Sequence, residues 1–369
     1  MSASPDLRLV TDADAARSSP ADPIAQILRT ELAPLVRRID EGHYPEAVLR
    51  RLGAAGAFLG EATGPAQLFE AIDAMARVGE ECLATAFCMW CQDTFAWYLQ
   101  NTENEGLRRR LLPDAASATV LGGTGLSNPM KALSGIEPMR LRGREVEGGF
   151  IVNGSLPWVS NLGATHHFGT AFAVEGAARE AMAIVDCSSP GIRLGDGARF
   201  LALDGTRTCS VAFRDVFIPR SLVLADPAAP FIARVKAGFI LLQTGMGLGV
   251  IRGCVEVMRR SDESCGEINR YLEDRPDLFL EALERLTAEI SLLATTPFET
   301  ARDYERRVLQ VRLDTSEWSL RAAQAALLHA GAKGYLAGAP AQRKLREAYF
   351  VAIVTPATKH LRKELAALS

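Results

Sequence analysis

The spacing of apolar positions changes twice along the chain. From about residue 23 to 112, apolar residues recur every three or four positions: Ile24, Ile27, Leu28 and Leu32, then Leu49, Leu52 and Ala55. That period predicts amphipathic helices, punctuated at residues 42–45 (GHYP) and 64–67 (GPAQ). From about 116 to 225 the pattern becomes strand-like and rich in Gly and Pro. FIVNGSLPWVS (150–160) reads as two extended runs about Asn153-Gly154, a hairpin signal because both residues accept positive φ. In TCSVAFRDVFIP (208–219), Cys209, Val211 and Phe213 alternate with polar residues, which predicts a half-buried strand. After Pro227 long amphipathic segments return, over 230–260, 271–294 and 298–329.

This order predicts an α+β fold that is mostly α. A disordered lead (1–22) precedes a helical N-terminal domain (23–115), a middle β-domain (116–226) and a C-terminal helical bundle (227–369).

The chain has 369 residues, 48% hydrophobic and 23% charged, with a formal net charge of -3. Those values are ordinary for a globular protein and give no reason to expect nucleic-acid or membrane-surface binding. Seven scattered cysteines do not form a disulfide framework, so a reducing, cytoplasmic setting is expected. The run AGFILLQTGMGLGVI (237–251) is shorter than a spanning helix needs and is read as a buried core helix, its glycines serving close packing.

Few residues announce chemistry by spacing alone. Cys88 and Cys91 lie inside a helical pattern with no second ligand pair, and are read as core residues. His166-His167 is not at metal-ligand spacing, and no metal site is expected. No glycine-rich nucleotide fingerprint follows a strand. Asp93, among Trp90, Phe95 and Trp97, is either an acid with a raised pKa and a catalytic role or an exposed residue on the far helix face.

Several segments, in order across nearly the whole chain, resemble the acyl-CoA dehydrogenase superfamily of flavoproteins. They are LAPLVRRIDEGHYPEAVLRRLGAAGAF (32–58), NTENEGLRRRLLP (101–113), LSNP (126–129), VNGSLPWVSN (152–161), FRDVFIP (213–219) and GYLAGAPAQRKLREA (334–348). The resemblance implies a C-terminal four-helix bundle, a flavin (FAD, or reduced FMN or FAD in a monooxygenase) between it and the β-domain, and a homodimer or homotetramer. Trp158 and Val159 would lie at the isoalloxazine, Ser160 near its reactive nitrogen, and Leu126 and Ser127 at the ring edge.

The departures concern the base. The family's glutamate position falls on Thr355, whose hydroxyl cannot abstract a proton, and its other location falls near Phe239. MKALSG (130–135) replaces the Gly-Ser-Asp of the flavin loop. CGEIN (265–269) replaces an arginine segment that would pair with pyrophosphate, so dinucleotide binding is expected to be weakened unless Arg270, Lys333 or a helix N-terminus substitutes. Three readings remain open. One is an oxidoreductase acting on an acyl thioester, with Asp93, Ser160 and Thr355 as the catalytic positions. Another is a two-component monooxygenase fed by a flavin reductase, with His329 or His360 as acid-base groups. The third is a non-catalytic subunit completed by a paralogous chain. For both histidines the plain expectation is a surface or capping role.

Overall fold

The computed structural model describes residues 22–368 apart from 62, 63 and 65. The expected disordered lead, 1–22, lies outside the described residues except for Asp22. That residue caps the first helix, accepting from the backbone N–H groups of Ile24 (2.9 Å) and Ala25 (3.1 Å).

The N-terminal helices are α1 (Pro23–Ile27), α2 (Val36–Asp40), α3 (Glu46–Ala54), α4 (Gln67–Glu81), α5 (Leu83–Asn101) and α6 (Glu105–Ala116). A π turn and a 3₁₀ turn join α1 to α2. Helix α5 is buried on every side, as its apolar circumference requires, while α4 shows the one-sided stripe of a surface helix.

The β region comprises β1 (Gly122–Thr124), a helix α7 (Ser127–Leu133), and then β2 (Leu141–Val146), β3 (Gly149–Val159), β4 (His167–Val174), β5 (Glu180–Asp186), β6 (Ile192–Leu194), β7 (Cys209–Pro219) and β8 (Val223–Ala225). Their order in the mixed sheet is β6-β7-β3-β2-β4-β5-β8, with β1 paired in parallel to β4. Side chains such as Phe150, Phe168, Phe172 and Phe213 fill its separate core.

The hairpin expected at Asn153-Gly154 is not there. β3 runs straight through both residues, and the reversal lies at Glu147-Gly148, where β2 turns into β3. Gly154, at φ +130, lies at a bulge whose extra residue is on β7, where Arg214 and Asp215 (φ +51) face Asn153, and Asn153 exchanges hydrogen bonds with Asp215. Positive φ signals a turn or a bulge equally, and the partner strand decides which. The alternation expected for β7 is present, with Val211 and Phe213 buried.

The C-terminal helices are α8 (Ala228–Leu242), α9 (Thr244–Asn269), α10 (Pro276–Ala294), α11 (Arg302–Gly334), α12 (Pro340–Ile353) and α13 (Thr358–Ala367). Helices α9 to α12 pack on one another, and α4 lies along α9. The apolar stretch across α8 and α9 is 94% buried inside the protein in its most hydropathic window. Its glycines serve close packing, as expected. A Cβ on Gly249 would meet the Ala76 carbonyl at 2.6 Å and Gly79 Cα at 2.7 Å, so the α4–α9 approach depends on its absence. One continuous core, from Ile27 to Leu361, joins the N-terminal helices to the bundle.

Candidate functional site

The site residues come together where β1 and the end of β3 run side by side. A Cβ on Gly123 would collide with the Ser160 carbonyl, so this glycine permits the approach. Asn161, at φ +62, turns the chain out of β3. Its amide donates to the Gly122 carbonyl at 2.7 Å and its oxygen accepts from the Tyr44 hydroxyl at 2.7 Å. Leu126 and Ser127 follow shortly after β1, three to four residues beyond this approach. Leu126 and Val159 are buried in the packing beneath.

Trp158 is 57% exposed, and its indole meets the edge of Phe200 with ring centroids 6.4 Å apart. The neighbouring Leu201 is 68% exposed, and its carbonyl accepts from Arg346 Nη1 of α12 at 3.1 Å. Farther along α12, Tyr349 and Ile353 are exposed on the same helix face. The Leu201–Arg346 contact thus links the exposed apolar residues beside Trp158 to α12, which carries exposed apolar residues of its own. Close to Phe200 lies a cavity of about 340 Å³, bordered by Glu41, Leu203, Thr206, Arg207 and Thr208 among others.

Ser160 is buried, and its Oγ lies 2.7 Å from Thr208 Oγ1, which lies 2.8 Å from Thr206 Oγ1. Thr206 donates to the Leu203 carbonyl at 2.7 Å. Sequence reasoning missed Phe200, Thr206 and Thr208. The Thr206-x-Thr208 alternation at the entrance to β7 was the available signal.

Thr355 meets the start of α7 and the end of α8. Its Oγ1 lies 3.0 Å from Ser127 Oγ, and its carbonyl accepts from Gln243 Nε2 at 2.8 Å. Behind Gln243 stands Arg312, fully buried. Its Nε donates to Gln243 Oε1 at 2.8 Å, Nη2 to the Val351 carbonyl at 2.7 Å, and Nη1 to Ser316. None of these acceptors is a carboxylate. Desolvation lowers its pKa to about 10, which still leaves a cation at neutral pH. The negative end of the α12 dipole, at Val351, partly balances that charge. Gln243 and Arg312 were also missed; an arginine inside VLQVRL, amid buried apolar neighbours, was the sign.

Asp93 is not part of this constellation, nor is it exposed. It lies fully buried in the N-terminal core, with Oδ1 accepting from the Leu59 N–H at 2.9 Å and Oδ2 without a partner. Burial raises its pKa well above the usual carboxylate range. The helix it occupies is central, and no far face exists. Phe239 is a core residue, edge-on to Trp90 at 5.1 Å.

Both candidate histidines are buried rather than superficial. His329 lies between Asp262 Oδ1 (3.1 Å) and the Asp274 carbonyl (2.9 Å), tying α9, α10 and α11 together. His360 Nε2 meets both Ser134 Oγ (3.1 Å) and Glu364 Oε1 (3.0 Å). Serine and acid share one ring nitrogen, so the arrangement cannot relay a proton as a nucleophilic triad does. It fastens α13 to the end of α7. Arg270 sits exposed, paired with Glu267 and stacked by Tyr271, and Lys333 is exposed on α11.

Cys88 and Cys91 are buried free thiols whose pKa values burial raises. Among the described residues no cluster could hold a metal ion, and neither Ser160 nor Thr355 hydrogen-bonds a carboxylate. The constellation offers an aromatic wall and a set of hydroxyls, with no ionised base.

No protein-family model matches the chain. It is 24% identical over 353 residues to the benzylmalonyl-CoA dehydrogenase of Aromatoleum aromaticum, an alignment covering 90% of this chain and 92% of that one. Among solved structures, the fold matches butyryl-CoA dehydrogenase from Megasphaera elsdenii with a TM-score of 0.80 at 16% identity, covering 95% and 98% of the two chains. An FAD complex of PigA matches with a TM-score of 0.78 at 14% identity, covering 100% and 98%. In its three-part architecture the chain has the fold of the acyl-CoA dehydrogenases, and along nearly all of its length its sequence is similar to theirs.

Proposed function

We propose that the chain is a flavin-dependent oxidoreductase whose ring site lies against Trp158, and that its substrate is an acyl thioester. The observation that carries this reading is an exposed indole at Trp158, set against Phe200 two residues from the buried hydroxyl of Ser160, in a fold shared with an FAD-bound structure. A planar, largely apolar heterocycle needs a flat aromatic wall and polar partners at its edge. Trp158 and Phe200 supply the first, and Ser160 with the hydroxyls behind it supplies the second. The residues present fit the ring of FAD or FMN.

A bound flavin supplies the electron-accepting or oxygen-handling chemistry. Trp158 orients the ring plane, and Ser160 fixes one edge by hydrogen bonding. Neither Thr355 nor Ser160 serves as a proton-abstracting base, since an unassisted alcohol ionises far above neutral pH.

That lack of a base favours a second reading, a monooxygenase that takes flavin reduced by a separate reductase. Asp93 cannot rescue the first reading, because it stands in the N-terminal core away from Ser160 and Thr355.

The test is anaerobic spectroscopy of the purified chain with added FAD or FMN. Bleaching by one of a panel of acyl-CoA thioesters supports the thioester oxidoreductase. Oxygen consumption with reduced flavin and substrate, without such bleaching, supports the monooxygenase. Turnover appearing only after co-expression with a paralogous chain would make this polypeptide a completing subunit. Failure to bind any flavin would overturn the reading.

A further inference from the structure

We infer that the ring site is built to hold the reduced form of its heterocycle in preference to the oxidised form, because Ser160 presents lone pairs rather than a proton. The inference rests on the flavin reading above, and it follows from the direction of one hydrogen-bond chain. A hydroxyl has a single proton to give. Thr206 gives its own to the Leu203 carbonyl, which can only accept. The contact between Thr206 and Thr208 must then use the proton of Thr208. The contact between Thr208 and Ser160 must, for the same reason, use the proton of Ser160. The three hydroxyls form a one-way chain from Ser160 through Thr208 and Thr206 to a backbone carbonyl.

The serine oxygen at the head of that chain is left as an acceptor. Successive donors polarise one another, so its lone pairs are strengthened as well as freed. The complement of such an oxygen is an N–H group. Reduction of an isoalloxazine places hydrogen on a ring nitrogen that is bare in the oxidised form. A bare nitrogen facing Ser160 sets lone pair against lone pair, whereas the protonated nitrogen makes a hydrogen bond. Burial of Ser160 keeps water from relieving the mismatch.

The experiment titrates the full chain anaerobically with FAD and FMN, each oxidised and dithionite-reduced, and compares dissociation constants by equilibrium dialysis. The reduced form of the preferred flavin is expected to bind at least about tenfold more tightly. Thr208→Val keeps the shape but removes the acceptor, so Ser160 regains a proton to donate. The preference should then shrink by about three- to tenfold, chiefly through tighter binding of the oxidised form. Ser160→Ala should also lose the preference, with circular dichroism confirming that each variant is folded. Equal affinities in the unsubstituted chain, or a ratio unchanged in both variants, would overturn the inference while leaving the flavin reading intact. Absence of binding in all four forms would overturn both.

Discussion

Ser127 Oγ and Thr355 Oγ1, 228 positions apart in sequence, lie 3.0 Å from one another. The first begins α7, just after β1; the second follows α12. Their contact joins the β-domain to the bundle at the position where the superfamily resemblance places a glutamate. At the other end of α7, Ser134 is held by His360, Glu364 and the Lys363 ammonium, so α7 is fastened to the C-terminal segment at both ends.

Trp158→Ala should weaken flavin binding by at least about tenfold while leaving the fold intact. The loss of an aromatic stacking wall is worth roughly 1 kcal/mol or more, whereas an indole so exposed contributes little to stability. Equilibrium dialysis against FAD, beside a urea titration of the same variant, checks both halves. An unchanged affinity would remove the indole from the site.

Asp93→Asn should preserve any activity, since the acid stands apart from the ring site and its Leu59 contact survives in the amide. Its folded pKa is raised above the usual 3.8 by burial, so the folded chain keeps a proton that the unfolded chain releases. Stability therefore falls as pH rises above about 4 in the unsubstituted chain. The variant should be spared that decline, being the more stable of the two at pH 8 and about equal at pH 4. Denaturant titrations at the two pH values provide the comparison.

Glu364→Gln should flatten the acid limb of the stability profile. Burial alone would raise the Glu364 carboxyl, but hydrogen bonding to His360 and the nearby Lys236 ammonium outweigh it and hold the pKa down to about 2, against an ordinary 4.5. A carboxylate with a depressed folded pKa stabilises above its unfolded value, and that contribution is lost as pH falls from about 4.5 towards 2. It amounts to about 1–2 kcal/mol once solvent screening is allowed for. Denaturation midpoints measured over that interval should converge for the two chains as the solution becomes more acid.

Arg312→Met should cost about 1–3 kcal/mol, because Gln243 Oε1 and the Val351 carbonyl lose their donor in a water-free interior. Loosening Gln243 should also free the Thr355 segment, read as faster amide exchange at Val354 and Thr355. A variant as stable as the parent, with unchanged exchange there, would deny Arg312 its anchoring role.

The three-part architecture was legible because it follows from changes in hydrophobic period. The apolar run 237–251 was likewise recognisable as a core helix, since glycines at 245, 247 and 249 belong to a helix packed closely on others. Details that depend on distant partners were not legible. Asn153-Gly154 carries a turn signal, yet the segment pairs straight through with β7, which takes the bulge at Arg214-Asp215. Asp93 sits on a helix whose surroundings on all sides come from segments remote in sequence, so its burial has no local signature. The hydroxyl chain at Ser160 is assembled from Leu203, Thr206 and Thr208, more than forty residues away, and only tertiary structure brings them together.

The apolar interior shared by the N-terminal helices and the bundle makes the two ends of the polypeptide one mechanical body. The sheet has a second interior on one face, but on the other Ala171, Met182, Ile184 and Leu224 belong to the shared one, which ties the sheet to that body. In calorimetry both helical ends of such a molecule should give way together, and the sheet, sharing their interior, with them.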